Sequence, residues 1–518
     1  MSSIVFNNAS FAYDASPDGL FSKLRFGISE GWTGVIGSNG AGKTTLLRLA
    51  CGELAPRTGT VDRPRTSLYC PQRTDTPMPE FGALLGATDG VGFQLRGRLG
   101  IGEDWLDRWE TLSHGERKRA QIGACLWLRP DLLAVDEPTN HLDREAKRRV
   151  VLALRAHRGI GLLVSHDREL LDDLCQHCLF VDPPDAVLRS GGYTVARQAL
   201  AEEDDRARAL RTKATRDRRK LNREYAQRRE HQKKAEREKS LRGIDPRDSD
   251  ARAKAYAARN TDSRSGKRLR QIEGRLQQAE EREASIRVSR PEDLGIEVRG
   301  NTSPRNALFR VSSGSLPLGE GRSVCFPDLL MQPSDRVALV GPNGSGKSTL
   351  IRHIVGQIAL PDERIIYVPQ EISAEESAEA LRAVRALSSE DLGQVMAWVS
   401  RLGSEPARLL SSELPSPGEV RKLILARHLA MEPHLIVMDE PTNHMDLPSI
   451  ECVETALAEF PGGLLLVSHD EVFLAALTTI RWEIEPESTS EAAFSLRIRS
   501  ASCANGSEAR HSHTREVG

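Results

Sequence analysis

At 518 residues the chain is long enough for two to four domains. Its 72 Lys and Arg nearly cancel its 73 Asp and Glu, which excludes a global polycation and makes any nucleic-acid surface a local one. No apolar run approaches the ~18 residues of a membrane span, and the opening Met1-Ser2-Ser3-Ile4-Val5-Phe6 lacks the basic and apolar regions of a secretory signal.

Eight cysteines are scattered through the chain. With no secretory signal they fit a reducing cytoplasm, the expected location. Cys175 and Cys178 form a lone Cys-x-x-Cys, two ligands short of a zinc site, and read as packing residues.

Residues 1–195 alternate short apolar runs (Ile4-Val5-Phe6, Gly34-Val35-Ile36, Leu132–Val135, Gly161–Ser165) with helical patterns at Thr44–Cys51 and Glu116–Leu128. This alternation predicts an α/β domain with a largely parallel sheet. Composition shifts at Ala196. From Asp205 to Lys239 there are fifteen Lys and Arg against six Asp and Glu, with no Pro or Gly. Lys267–Ile286 is a second charged helical pattern, and the turn-rich stretch between suggests a hairpin with its tip near 241–262. The linker is placed at 196–295. Residues 296–487 then repeat the first domain. Asp136 and Asp439, Gly115 and Gly418, His166 and His469 each lie 303 residues apart, and Lys43 and Lys347 lie 304 apart. Residues 488–518, rich in Ser, Glu, Arg and His, read as a disordered tail.

The chemistry sits in short repeated motifs. Gly37-Ser38-Asn39-Gly40-Ala41-Gly42-Lys43-Thr44-Thr45 and Gly341-Pro342-Asn343-Gly344-Ser345-Gly346-Lys347-Ser348-Thr349 follow the phosphate-binding loop pattern. Glycines let backbone amides wrap phosphates, the Lys reaches the terminal phosphates, and the Thr44 or Ser348 hydroxyl ligates Mg²⁺. Both loops open helices, whose N-termini favour anions. Asp136 and Asp439 end apolar strand signals and are the further Mg²⁺ ligands. Glu137 and Glu440 follow directly and would orient or deprotonate an attacking water.

Leu112-Ser113-His114-Gly115-Glu116 resembles the signature motif of the ATP-binding cassette family. Gln72 and Gln370 resemble its Q-loops, His166 and His469 its switch histidines, and Asp143 and Asp446 its D-loops. The motifs fall in family order over about 1–195 and 296–487. The resemblance implies an α/β fold of two P-loop ATP-binding cassette domains joined by a long α-helical hairpin linker, with ATP and Mg²⁺ as cofactors and ATP hydrolysis as the activity. It also implies that each ATP is capped by the other cassette. Site one would combine Lys43, Asp136, Glu137 and His166 with Ser416 and Gly418. Site two would combine Lys347, Asp439, Glu440 and His469 with Ser113 and Gly115. The second signature departs from the pattern at Pro417, which has no amide to donate. Tyr13 is the expected adenine-stacking residue of the first cassette, ahead of Phe11; Phe309 is a guess for the second.

Two cassettes, a charged helical linker and the Asn-His-Leu/Met-Asp endings resemble the F subfamily (ABC-F), whose members act on the ribosome. The resemblance implies rRNA, and tRNA, as contacts of the linker in a monomer whose two cassettes pair with each other. By charge alone the linker fits an RNA phosphate surface or a solvated face of local ion pairs. Only 40 residues separate Gln72 from Ser113, too few for the extra arm that some members insert there. Two other classes stay open: the ATPase component of a transporter, and a DNA-repair or chromosome-associated ATPase. Housekeeping translation factor and antibiotic-resistance factor are not separated by these residues.

Overall fold

The structure is a computed structural model that describes residues 3–14, 19–140, 142–238, 250, 270–286, 302–319, 321–404, 406–411, 415–429, 431–443, 445–487 and 490–500. It packs as two units: Met1–Ala196 together with Glu292–Gly518, and Arg197–Pro291.

The first unit contains two α/β halves. The strands of the first are β1 (Ser3–Phe11), β2 (Phe21–Ser29), β3 (Gly31–Ile36), β4 (Thr58–Asp62), β5 (Ser67–Cys70), β6 (Leu132–Asp136), β7 (Ile160–Val164), β8 (Cys175–Asp182) and β9 (Asp185–Ser190). Those of the second are β10 (Phe309–Val311), β11 (Gly314–Gly319), β12 (Arg322–Phe326), β13 (Leu329–Met331), β14 (Arg336–Val340), β15 (Ile365–Val368), β16 (Leu435–Asp439), β17 (Gly463–Val467), β18 (Ile480–Glu487) and β19 (Ser490–Ser500). The main sheet of the first half runs β5-β6-β7-β3-β8-β9, and the second contains the same series, β15-β16-β17-β14-β18-β19, extended by β12 and β11. In both series the pairs are parallel except the last, an antiparallel hairpin. The central strands β6, β7, β16 and β17 are buried at every position. Their continuous apolar runs are what strands covered by helices on both faces require.

β3 and β14 lead into the two phosphate loops, which open the helices Lys43–Cys51 and Lys347–Val355. β6 and β16 end at Asp136 and Asp439. Both features therefore lie at the carboxyl edge of a parallel sheet, where open α/β folds bind ligands. One apolar cluster includes Leu154 and Leu171 of the first half and Ile450, Val453 and Phe473 of the second, so the halves share a core layer.

Residues 490–500 are not the start of a disordered tail. They form β19, which pairs antiparallel with β18 and parallel with β12. Phe494 and Leu496 pack into the core of the second half, while Arg497 and Arg499 of the same strand reach Glu483 and Glu485 of β18. The Ser- and Arg-rich composition hid a period-2 alternation. Residues 501–518 lie outside the described residues.

One helix runs from Tyr193 to Glu238, 46 residues or about 70 Å of axis, and from Arg197 onward it belongs to the Arg197–Pro291 unit. A second is described over 270–285. They meet at Glu283, which accepts from Thr215 Oγ1 at 2.9 Å and pairs with Arg218 Nε at 2.9 Å. The expected tip, 241–262, lies outside the described residues apart from Asp250.

Candidate active sites

Both phosphate loops close on their own lysine. Lys43 Nζ donates to Gly37 O (2.8 Å) and Ser38 O (3.1 Å), and Lys347 Nζ to Gly341 O (2.8 Å) and Pro342 O (3.0 Å). Burial lowers the pKa of both lysines. The glycines answer to space. A Cβ on Gly37 would stand 2.5 Å from Val181 O, and Gly42 turns the chain at φ 88° against Leu20 and Phe21. Ala41 is a core residue, and its amide bonds Ser38 O at 3.1 Å.

The first site is a cavity of about 730 Å³. Asn39, Gly40, Gly42, Lys43, Thr44 and Thr45 line it, with Tyr13, Gln72, Asp136, Glu137 and His166 from the same half and Ser416 and Gly418 from the other. The second, of about 1090 Å³, mirrors it. Asn343, Gly344, Gly346, Lys347, Ser348, Thr349, Gln370, Glu440 and His469 face Ser113 and Gly115 across the interface. Each cavity thus brings the phosphate loop of one half together with the signature Ser and Gly of the other. Ser38 lies on a smaller neighbouring cavity. Gly37, Ala41, Gly341, Pro342 and Ser345 line neither of these two cavities; Ala41 and Ser345 are buried and Pro342 is exposed. Asp439 also sits behind the second cavity wall, at 1% exposure.

Glu137 and Glu440 share an unusual backbone, at φ 48° and 52°. Such left-handed geometry costs a non-glycine residue about 1–3 kcal/mol. It is held by amide bonds to Val164 O (2.9 Å) and Val467 O (2.8 Å) of the next strand. His166 Nε2 is 3.0 Å from Glu137 Oε1, and His469 Nε2 is 3.4 Å from Glu440 Oε1. Neither contact is aligned as a hydrogen bond, and both carboxylate oxygens remain buried acceptors without one. Burial pushes Glu440 up to about 7, partly offset by Lys347. Burial, with Lys347 nearby, takes His469 down to about 4, which leaves it neutral at pH 7. A carboxylate near neutral pKa beside a neutral imidazole can take a proton from water.

The aspartates differ. Asp136 Oδ2 accepts from Thr44 Oγ1 at 2.7 Å and Tyr69 OH at 3.0 Å. Asp439 keeps both oxygens buried without a hydrogen-bond partner among the described residues. Burial raises the pKa of each.

The caps also differ. Ser113 and Ser416 each start a helix, and each hydroxyl donates to its own third neighbour, Glu116 or Glu419, at 2.8 Å. The helices are His114–Trp127 and Pro417–Leu429. Pro417 is therefore a first helical residue, where proline fits, but it removes one amide from the face aimed at the first cavity.

On the base side, Tyr13 lines the first cavity with its hydroxyl 2.9 Å from Thr45 Oγ1. Phe11 is buried behind it, edge-on at 4.9 Å. The guess of Phe309 is corrected: it is core, edge-on to Trp482 at 6.4 Å. Leu318 and Arg322, on the β11–β12 hairpin, line the second cavity instead. A search for aromatics passes over an Arg, whose planar guanidinium also stacks.

Two further residues escaped the motifs. Lys118, fully buried, donates to Pro71 O (2.6 Å) beside Gln72 and to Asp136 O (3.0 Å). Arg421, 303 residues on, donates to Glu440 O (3.3 Å), Asn443 O and Gln370 O. Each ties its signature helix to the Q-loop and to the strand end that carries the carboxylates.

A family model described as ABC transporter matches residues 21–140 and 327–443. The ribosome protection protein VmlR of Bacillus subtilis is 28% identical over 507 residues, covering 90% of this chain and 84% of that protein. The tylosin resistance ATP-binding protein TlrC of Streptomyces fradiae is 30% identical over 544 residues, covering 90% and 94%. The chain belongs to the ABC-F proteins. The energy-dependent translational throttle protein EttA of Mycobacterium tuberculosis is 27% identical to this ABC-F chain over 87% of it and 86% of the relative. Among solved structures, an archaeal ribosome recycling factor in complex with a ribosomal stalk protein shares its fold, with TM-score 0.60 and 17% identity over 94% of this chain and 89% of that one. The RNase-L inhibitor does so at TM-score 0.59 and 17% identity, over 95% and 90%. As an ABC-F protein the chain is an ATPase. No described helix is long and apolar enough to cross a membrane.

Proposed function

We propose that this ATPase acts on the cytoplasmic ribosome as a translation factor or ribosome-protection factor. ATP draws the two cassettes together, hydrolysis releases them, and the basic helix of the Arg197–Pro291 unit contacts RNA phosphates. The observation that carries this reading is the pairing of two composite ATP sites with a basic helical segment in one chain. The names of the relatives VmlR and EttA point the same way.

In each site the lysine and loop amides would hold the phosphates, with Gln72 or Gln370 at the edge. Glu137 or Glu440, steadied by its histidine, would receive the proton of the attacking water. Ser416 with Gly418, and Ser113 with Gly115, would cap the γ-phosphate. Thr44 with Asp136 and Ser348 with Asp439 suit Mg²⁺: all four offer oxygen donors, and the two Asp439 oxygens are buried with no hydrogen-bond partner among the described residues. Bound there, the ion would neutralise phosphate charge. Tyr13→Ala is expected to weaken ATP binding at the first site about tenfold through lost base stacking. Phe309→Ala should leave affinity unchanged and cost about 3–4 kcal/mol of stability. Nucleotide titration and thermal melting of both variants check this.

On the linker, Arg218 is paired with Glu283, and Arg228 with Glu224 at 2.8 Å, so these two are spoken for. Arg216, Arg219, Lys220 and Arg223 are exposed and line one groove of about 590 Å³. Replacing those four by Gln should weaken ribosome binding and reduce its salt slope by about 3. An unchanged slope would assign them to a solvated face. Sucrose-gradient sedimentation of the Glu137→Gln, Glu440→Gln chain with ATP tests the function itself. Co-migration with ribosomes is expected, and its absence overturns the reading. Growth with ribosome-targeting antibiotics, with and without the gene, separates protection from housekeeping.

A further inference from the structure

The halves differ in what stands behind the aspartate that crosses the interface. Asp446 belongs to the second cassette. Its Oδ1 caps the helix Leu447–Glu459 through Ser449 N at 3.0 Å. Its Oδ2 accepts the amide of Asn39, in the first phosphate loop, at 2.6 Å. The Ser449 hydroxyl donates to Asp446 Oδ1 and accepts from Lys422 Nζ at 2.6 Å. Lys422 lies on the signature helix Pro417–Leu429, 5% exposed, and also donates to Ser404 Oγ (3.2 Å) and Gly403 O (3.3 Å). Burial would raise the Asp446 pKa, but the Ser449 bond and Lys422 outweigh it and keep the carboxylate ionised. These groups border a cavity of about 360 Å³ that reaches Ser416 and Gly418.

The corresponding positions of the first half are Asp143, Ala146 and Arg119. Asp143 caps its helix through Ala146 N at 2.9 Å. Ala146 carries no hydroxyl, and Arg119 holds Leu99 O at 2.6 Å and Gly100 O at 3.4 Å. The run from signature helix to crossing aspartate is therefore complete in one half and broken at position 146 in the other.

We propose that Ser449 and Lys422 are positioning residues for the first ATP site, joining the second signature helix through Asp446 to the Asn39 amide so that phosphate loop and cap move as one piece. Ammonium, hydroxyl and carboxylate in series make charge-assisted bonds that polarise one another. A carboxylate fixed at both oxygens keeps the loop amide in a single place. The first site is where such stiffness matters, because its cap begins at Pro417 and has one amide fewer. The second site, capped by Ser113, His114 and Gly115, has its full set of amides and lacks the relay.

This inference rests on the assignment of the two phosphate loops, and the experiment separates the two. The Glu137→Gln, Glu440→Gln chain is loaded with radiolabelled ATP, and release is followed after a chase of unlabelled ATP. Two nucleotides per chain should be retained. Adding Ser449→Ala should speed the release of one of them about tenfold. Photocrosslinking with 8-azido-ATP and peptide mapping should assign that nucleotide to the first cassette. Lys422→Met should do the same, and Ser449→Thr, which restores the hydroxyl, should return slow release. A merely structural role at the start of a buried helix would speed both nucleotides equally and would lower the melting temperature in parallel. Equal acceleration, no acceleration, or fast release mapped to the second cassette overturns the relay. A parent chain that retains no nucleotide overturns the site assignment, and the relay with it.

Discussion

Glu440→Gln should lower steady-state ATP turnover about a hundredfold or more, and Glu137→Gln should lower it far less. Removing a positioned general base ordinarily costs about 10²–10⁴ in rate. Both glutamates have the same left-handed backbone and a histidine within 3.4 Å. What separates them is the cap. Glu440 works beneath the helix that begins His114-Gly115, with its amides complete. Glu137 works beneath the helix that begins at Pro417, which donates none from that position. Amides aimed at developing phosphate charge contribute most where charge grows, so the poorer cap should slow chemistry more than binding. Phosphate release by the two single variants and the double variant checks this. Equal residual rates in the singles would show that the caps are equivalent.

Loss of the Lys118 or Arg421 cation should be the most destabilising single change near the sites. Lys118→Met strands two carbonyls and Arg421→Met three, one buried (Asp136 O or Glu440 O) and the rest part-buried. A buried acceptor left unmet costs about 1–3 kcal/mol, so about 3 kcal/mol is expected for each variant. In a domain of this size that is a fall of roughly 6–12 °C in melting temperature. Arg421→Lys should recover about two-thirds, because Lys118 makes two such bonds at the matching position while Arg421 makes three. Differential scanning calorimetry of the three variants gives the answer. A loss below about 1 kcal/mol in both Met variants would mean that water replaces the cation.

Much of this was readable in the sequence because its chemistry is local. A phosphate loop is built from consecutive amides, so its residues are neighbours in the chain. Asp136-Glu137 and Asp439-Glu440 are strand ends, and a strand end is legible where an apolar run stops. The crossing of the two halves was implied only by the family motifs, and each cavity is lined by residues of both halves. What was missed is non-local or compositionally disguised. Arg322 reaches the second site because a hairpin carries it there, and no spacing rule connects it to Lys347. Lys118 and Arg421 look like surface charges in the charged runs Glu116–Arg119 and Glu419–Lys422, and only packing shows them buried. Ser449 differs from Ala146 by one oxygen atom, which means nothing until Lys422 is seen beside it. β19 was hidden because serines and arginines dominated a window in which only Phe494, Leu496 and Ile498 mark the alternation.

β19 lies between β12 and β18, with ladder partners on both sides. Everything it joins is synthesised before it. During translation, therefore, β18 and β12 face each other across a gap one strand wide until residues 490–500 arrive, whereas β9 of the first main sheet is an edge strand paired with β8 and leaves no such gap. Proteolytic trimming or a stop codon just past residue 487 would leave the gap permanently open, with two unpaired strand edges able to accept any extended segment from another chain. Such a product should retain a folded first cassette and still associate with its own kind, a behaviour that size-exclusion chromatography of the chain ending at 487 would reveal as high-mass species.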